Sequence, residues 1–202
     1  MVDGPMNLSA ATRTNLLALK STTDKIATVQ NRLSTGLKVS SALDNAISYF
    51  QARALNDRAS DLMNLKDSID QGVSSVETAI NGLDSIGKLV AQMKGLAMAA
   101  KSNQNKEDRS RSAVQFNDLR QQLDNLANDS SYKGSNLIKG SPANLKVSFS
   151  EDGSSTLTVS GISSDSSGLS MVVAAANWAE DANIENAIND LDSALSTLRS
   201  SA

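Results

Sequence analysis

Residues 55–100 read LNDRASDLMNLKDSIDQGVSSVETAINGLDSIGKLVAQMKGLAMAA. Counting by sevens from Leu55 gives Leu62, Ile69, Val76, Leu83, Val90 and Ala97, and counting from Arg58 gives Leu65, Gly72, Ala79, Ile86, Met93 and Ala100. The first series is apolar throughout, and the second is apolar or small after its first member. An a/d heptad sustained over this length specifies one long helix with a packing seam. At 1.5 Å per residue the stretch runs to about 70 Å, too long for one wall of a compact domain. Leu55, Leu62, Ile69, Val76, Leu83 and Val90 form the seam's larger side. The Gly and Ala of the second series let a partner backbone come close, but they bury little apolar area at about 25 cal/mol per Å². The helix therefore needs partners along its length. Val73, Ile80 and Leu89 widen the stripe beyond a/d, which suits two or three neighbours better than one.

Working outward, other segments supply candidate partners. Asn7 to about Gly36 carries Leu16, Leu19, Ile26, Val29 and Leu33 at helical spacings, with Gly36 as a C-terminal stop. Glu107 or Asp108 can open a third helix bearing Phe116, Leu119, Leu123 and Leu126. A last helix starts after Asp181, read as its N-cap. It carries Ile184, Ile188, Leu191, Leu195 and Leu198 into the final residues. One segment differs in kind: Leu145, Val147 and Phe149 alternate with polar residues, as do Leu157 and Val159, around an Asp152-Gly153 turn signal. That is a β-hairpin. The Ser-rich stretch from Gly161 to Gly168 reads as a loop, and Ser163 to Gly168 have no apolar content to bury. The expected fold is mainly α: an elongated antiparallel helical bundle or coiled coil with one small hairpin.

Composition narrows the chemistry. The 202 residues include 19 basic and 22 acidic side chains, no His, no Cys and 3% aromatics. Without Cys there is no disulfide framework, thiol nucleophile or Cys-rich metal site. Without His the commonest acid–base group near neutral pH is missing. A net charge of −3 argues against nucleic acid, which selects a basic face. Asp61, Asp67 and Asp70 read as a solvated helix face. No phosphate-binding glycine loop, nucleophile elbow or calcium loop is present. No enzyme activity, metal or cofactor is expected. Trp178 reads as a packing anchor. No residues form a secretory signal, and no apolar run spans a bilayer.

Two motifs go further. Arg32-Leu33-Ser34-Thr35-Gly36, followed by Ser41-Ala42-Leu43-Asp44-Asn45-Ala46, resembles the N-terminal signature of bacterial flagellins, R-[LI]-S-[ST]-G and then S-A-x-D-[DN]-A. Lys94-Gly95-Leu96-Ala97-Met98 is similar to the family's R-E-L-A-V segment. Leu123-Asp124-Asn125-Leu126 with Ser131-Tyr132-Lys133-Gly134-Ser135-Asn136-Leu137-Ile138 is similar to its I-D-x-[IV] … F-N-G-x-x-L-L turn. Ala174 to Trp178 and the last helix resemble the start of the C-terminal region, particularly in alphaproteobacterial members.

The resemblance implies a subunit of the extracellular flagellar filament, built from terminal inner-tube helices and a helical outer domain with a hairpin. It divides the chain into an inner-tube helix and spoke connector (1–45), long outer-domain helices (46–140), a hairpin and Ser-rich loop (141–176) and the start of a C-terminal helix (177–202). Arg32, Leu33, Gly36, Asp44 and Asn45 fall at the connector, as assembly or spoke residues. Implied partners are other flagellin subunits, the flagellar type III export apparatus with its chaperone, and hook-associated and cap proteins. Export needs no cleaved signal. On this alignment the chain stops inside the C-terminal helix, so these 202 residues are expected not to polymerise alone. The positions sensed by the flagellin-specific Toll-like receptor, Arg, Leu and Glu in activating members, match Gln92, Leu96 and Gln115. Weak or no activation is expected. Two alternatives stand beside the filament. A hook–filament junction protein would usually show a Pro-Ser-Asp-Asp-like connector, which Ser40 to Asn45 lacks. A soluble helical adaptor or chaperone would form a fixed oligomer.

Overall fold

A computed structural model describes residues 9–201. It contains four helices, α1 (Ala10–Thr35), α2 (Ala46–Ser102), α3 (Lys106–Asp129) and α4 (Asp181–Ser201), and one antiparallel hairpin of β1 (Leu145–Ser148) and β2 (Thr156–Val159). The chain divides into two units, Met1–Asp61 and Leu62–Ala202.

The first unit holds α1, the connector and the start of α2. Asn7, expected to open α1, lies outside the described residues. Within them the helix begins at Ala10, and Ser9 caps it by accepting from the Thr12 amide at 3.3 Å. It ends where Gly36 turns left-handed at φ 68°, a conformation that favours glycine.

The second unit holds the core. Ile86, Val90, Met93 and Ala97 of α2 pack with Ala113, Phe116 and Leu123 of α3 and with Ile184, Leu191 and Ala194 of α4. Two ion pairs give the register of α4 on α2. Lys101 meets Glu185 at 3.4 Å, and Lys94 meets Asp192. Seven residues back along α2 answer seven forward along α4, so the two helices run antiparallel on matched heptads. Such part-exposed pairs stabilise by only about 0–1 kcal/mol each. Their use here is to select one register, while the apolar seam supplies the burial.

Two connections differ from expectation. Asp181 is the first helical residue of α4 rather than its N-cap. Its carboxylate is engaged by Arg109 at 2.6 Å. Helix α3 opens one residue early, because Asn105 accepts the Glu107 amide at 3.0 Å. The Ser-rich stretch is a loop as expected, and Ser164 and Ser166 within it are both buried. Asp124 of α3 accepts from the Ser166 amide at 2.7 Å and its hydroxyl at 2.9 Å, and Arg120 donates to the same hydroxyl at 2.7 Å. Polar groups with partners can be buried without apolar content.

The expected hairpin is present, with Val147 opposite Leu157 and Leu145 opposite Val159. Val147 is buried against a notch in α2. A Cβ at Gly72 would lie 2.6 Å from Val147 Cγ2, and one at Gly82 would lie 2.6 Å from Ile138 Cδ1. These two glycines let the segment after α3 sit directly on the helix backbone. In the hairpin turn Gly153 is left-handed at φ 70°. The hydroxyls of Ser150 and Ser154 hold the Asp152 carboxyl down at about 2.

Trp178 is fully buried, its ring 4.9 Å from that of Phe116. Its Nε1 has no hydrogen-bond partner. It ends the short 3-10 turn Ala175–Trp178, in which Ala176, Asn177 and Trp178 are all left-handed, at φ 47°, 51° and 57°.

Candidate assembly and recognition surfaces

The connector residues form a structured turn. Asp44 Oδ2 accepts from the Ser40 amide at 3.2 Å, the Ser40 hydroxyl at 3.1 Å and the Ser41 amide at 3.3 Å. Asn45 Oδ1 accepts the Ser48 amide at 3.0 Å and so caps α2. Gly36 closes α1, and Leu37 donates its amide to the Thr35 hydroxyl at 3.4 Å. The start of α2 is therefore capped from within the connector. The carboxyl of Asp44 is held below its ordinary 3.8, chiefly by the Ser40 amide, then by the Ser40 hydroxyl and the Ser41 amide, with the Arg32 charge a smaller influence. Leu33 is 83% exposed.

The sign of the pH effect follows. A carboxyl depressed in the folded state stabilises it fully above the unfolded value and loses that contribution as pH falls through the folded one. The Ser40 and Ser41 amides are expected to keep their hydrogen-exchange protection down to about pH 4 and lose it below. Asp44→Asn should remove most of it at every pH, as read by NMR. Protection unchanged at pH 2 would show that the carboxylate does not organise the turn.

The apolar positions of α1 face outward. Leu16, Leu19, Ile26, Val29 and Leu33 are all exposed, and α1 buries no residue. Along the α2 seam burial is graded. Leu55 is 67% and Leu62 48% exposed, Ile69 and Val76 are half-buried, and Leu83 and Val90 are buried. Val73 and Ile80, read as widening the stripe, are exposed as well, while Leu89 packs against the core. The heptad therefore continues past the point where this chain covers it.

Gln92 and Leu96 of α2 and Gln115 of α3 line one shallow depression, with Asp118, Leu119 and Gln122 completing it. The two glutamines are exposed and Leu96 is half-buried. The lining carries amides and one carboxylate, with no cation among the described residues that form it.

Sequence reasoning passed over Arg109 and Asn136. Arg109 is buried, donating to the carbonyls of Asn103 at 2.5 Å and Lys101 at 3.5 Å while pairing with Asp181. It thus joins the end of α2 to the start of α4. Asn136 donates to the carbonyls of Ala127 and Asn128 and accepts the amides of Ile138 and Lys139. Its place before Leu137 in the turn motif was the available signal.

Comparison with known proteins supplies a family for this arrangement. A family model, the bacterial flagellin N-terminal helical region, matches residues 6–143. Flagellin FljK of Caulobacter vibrioides is 31% identical over 74% of this chain and 55% of its own length. Flagellin FljM of the same organism is 29% identical over 95% of this chain and 70% of its own. A flagellin of Brucella melitensis is 25% identical over 91% and 68%. The chain thus spans 55% to 70% of the length of these relatives. A crystal structure of Bacillus cereus flagellin shares the fold, with a TM-score of 0.58 at 20% identity over 68% of this chain and 78% of that one. Matched over more than half its length, the chain belongs to the bacterial flagellin family.

Proposed function

We propose that the chain is a structural subunit of the extracellular bacterial flagellar filament, and that it assembles with further copies through α1, the connector and the uncovered part of the α2 seam. The observation that carries this is α1, a 26-residue helix with an apolar stripe and no buried residue. Helices of this kind draw most of their stability from packing an apolar face, so α1 needs a partner that its own unit does not supply. Among the described residues no helix is long and apolar enough to cross a membrane. Arg32, Leu33, Gly36, Asp44 and Asn45 act as the spoke, with Asp44 and Asn45 holding its shape. Export proceeds through the flagellar type III apparatus with an export chaperone, and cap and hook-associated proteins bound the growing filament.

The test is expression of the full-length gene as the sole flagellin of an alphaproteobacterial host. Long filaments in electron micrographs and restored swimming are expected. Secretion into the medium without filaments would overturn the reading. Short, non-elongating assemblies at the hook would favour a junction protein instead.

The depression around Gln92, Leu96 and Gln115 gives a second expectation. Charge-assisted hydrogen bonds are about twice as strong as neutral ones, and here amides stand where activating members carry Arg and Glu. A Toll-like-receptor reporter line should respond weakly or not at all, and Gln92→Arg with Gln115→Glu should raise the response. Wild-type potency matching an enteric flagellin would refute this.

A further inference from the structure

Residues 170–178 cross α3 as a strap with an unusual backbone. Four of these nine positions are left-handed without being glycine, namely Ser170, Ala176, Asn177 and Trp178. Left-handed conformations disfavour side chains bearing a Cβ. Three of the four are consecutive and end two residues before α4.

Hydrogen bonds hold the strap mainly at its two ends. The Ser170 amide donates to the Ser167 carbonyl at 3.0 Å and the Met171 amide to the Ser166 carbonyl at 2.8 Å, the Ala174 amide donates to Asn117 Oδ1 at 3.0 Å, and the Ala176 carbonyl accepts the Ala179 amide at 3.1 Å. Met171, Ala174 and Trp178 are its buried side chains, and Val172, Val173, Ala175, Ala176 and Asn177 are exposed. Trp178 is the largest of the three and fully buried, yet its indole N–H is buried without an acceptor, which disfavours the closed state. Backbone strain and an unpaired donor therefore both oppose the packing of one aromatic ring on Phe116.

We propose that residues 170–178 form a strained strap, latched by Trp178, that opens as a unit ahead of the helical core and uncovers the aromatic socket at Phe116. The closed and open forms lie close in free energy because the strain is released when the latch lifts. Segments of this kind belong to the low-stability end of a structure. The proposal does not depend on the filament reading, since it concerns the folded subunit alone.

The experiment is hydrogen exchange of the full chain read by mass spectrometry, together with emission from its one tryptophan. Peptides covering 170–179 should exchange faster than the buried parts of α2 and α3 under native conditions. Tryptophan emission should shift red at lower denaturant than the loss of helicity. Ala176→Gly and Asn177→Gly relieve the left-handed strain at exposed positions and remove no packing. Each should slow opening of the strap about fivefold, with α2 unchanged. Ala175→Gly is the control, since its φ is not left-handed and its side chain is also exposed. There glycine should speed opening instead. Trp178→Phe, which retains an aromatic ring while removing the unpaired N–H and part of the area, reports how the latch is balanced by shifting strap exchange without changing α2. Fluorescence and helicity that change together, or glycine at 176 and 177 acting in the same direction as glycine at 175, would overturn the proposal.

Discussion

Ile86→Ala is expected to destabilise the second unit by about 2–5 kcal/mol, whereas Leu55→Ala should change monomer stability by no more than about 0.5 kcal/mol. Both residues belong to the same heptad repeat, one in each of its two series. Ile86 is fully buried among α2, α3 and α4, and Leu55 is two-thirds exposed. Truncating Ile86 removes buried methylenes and leaves a cavity whose walls, being helices packed on three sides, relax only partly. Truncating Leu55 removes surface that water already covers. Thermal unfolding followed by circular dichroism should show a fall in Tm on the order of 10 °C for the first and almost none for the second. Equal falls would mean that α2 is packed along its whole length within one subunit.

The second large effect concerns assembly. Leu19→Asp combined with Ile26→Asp, in the full-length gene, should reduce filament mass to background while leaving monomer unfolding within about 0.5 kcal/mol of wild type. Both side chains are more than half exposed in the subunit, so they contribute little to its own stability. In a filament each would be buried, and burying an aliphatic side chain contributes about 1.5–3 kcal/mol. A carboxylate in its place would also lose its hydration without a partner. Sedimented filament mass and electron microscopy read the outcome. Filaments of normal length from the double variant would remove α1 from the assembly surface and take the central observation of the functional proposal with it.

The helical plan was legible because long-period patterns survive in sequence. The sevens of α2, the 3–4 spacings of α4 and the alternation of β1 and β2 each name an element and the face it buries. They do not name the neighbour. Leu62 and Val90 stand at equivalent places in the heptad, and only the packed chain separates the uncovered one from the buried one. The burial of the Ser-rich loop was not legible for a different reason. Ser166 is held by Asp124 and Arg120, more than forty residues away, and hydrogen bonds at that distance leave no periodic trace. The strap was invisible too, because its left-handed turn carries Ala, Asn and Trp where a reader looks for glycine. At the connector the motif identified the residues. Their local work, a carboxylate gathering three donors and an amide capping a helix, required coordinates.

Four glycines interrupt α2 in the second unit, and they fall into two classes. Gly72 and Gly82 have no room for a methyl group, while Gly87 and Gly95 have nothing within 4 Å of where one would stand. For anyone wishing to mark or tether this subunit, that difference supplies an address. The chain contains no cysteine, so Gly95→Cys would create a single thiol on an exposed helix position, free of competing sites. The same substitution at Gly82 would drive the sulfur's carbon into Ile138 and Ser130 and report mainly on its own damage.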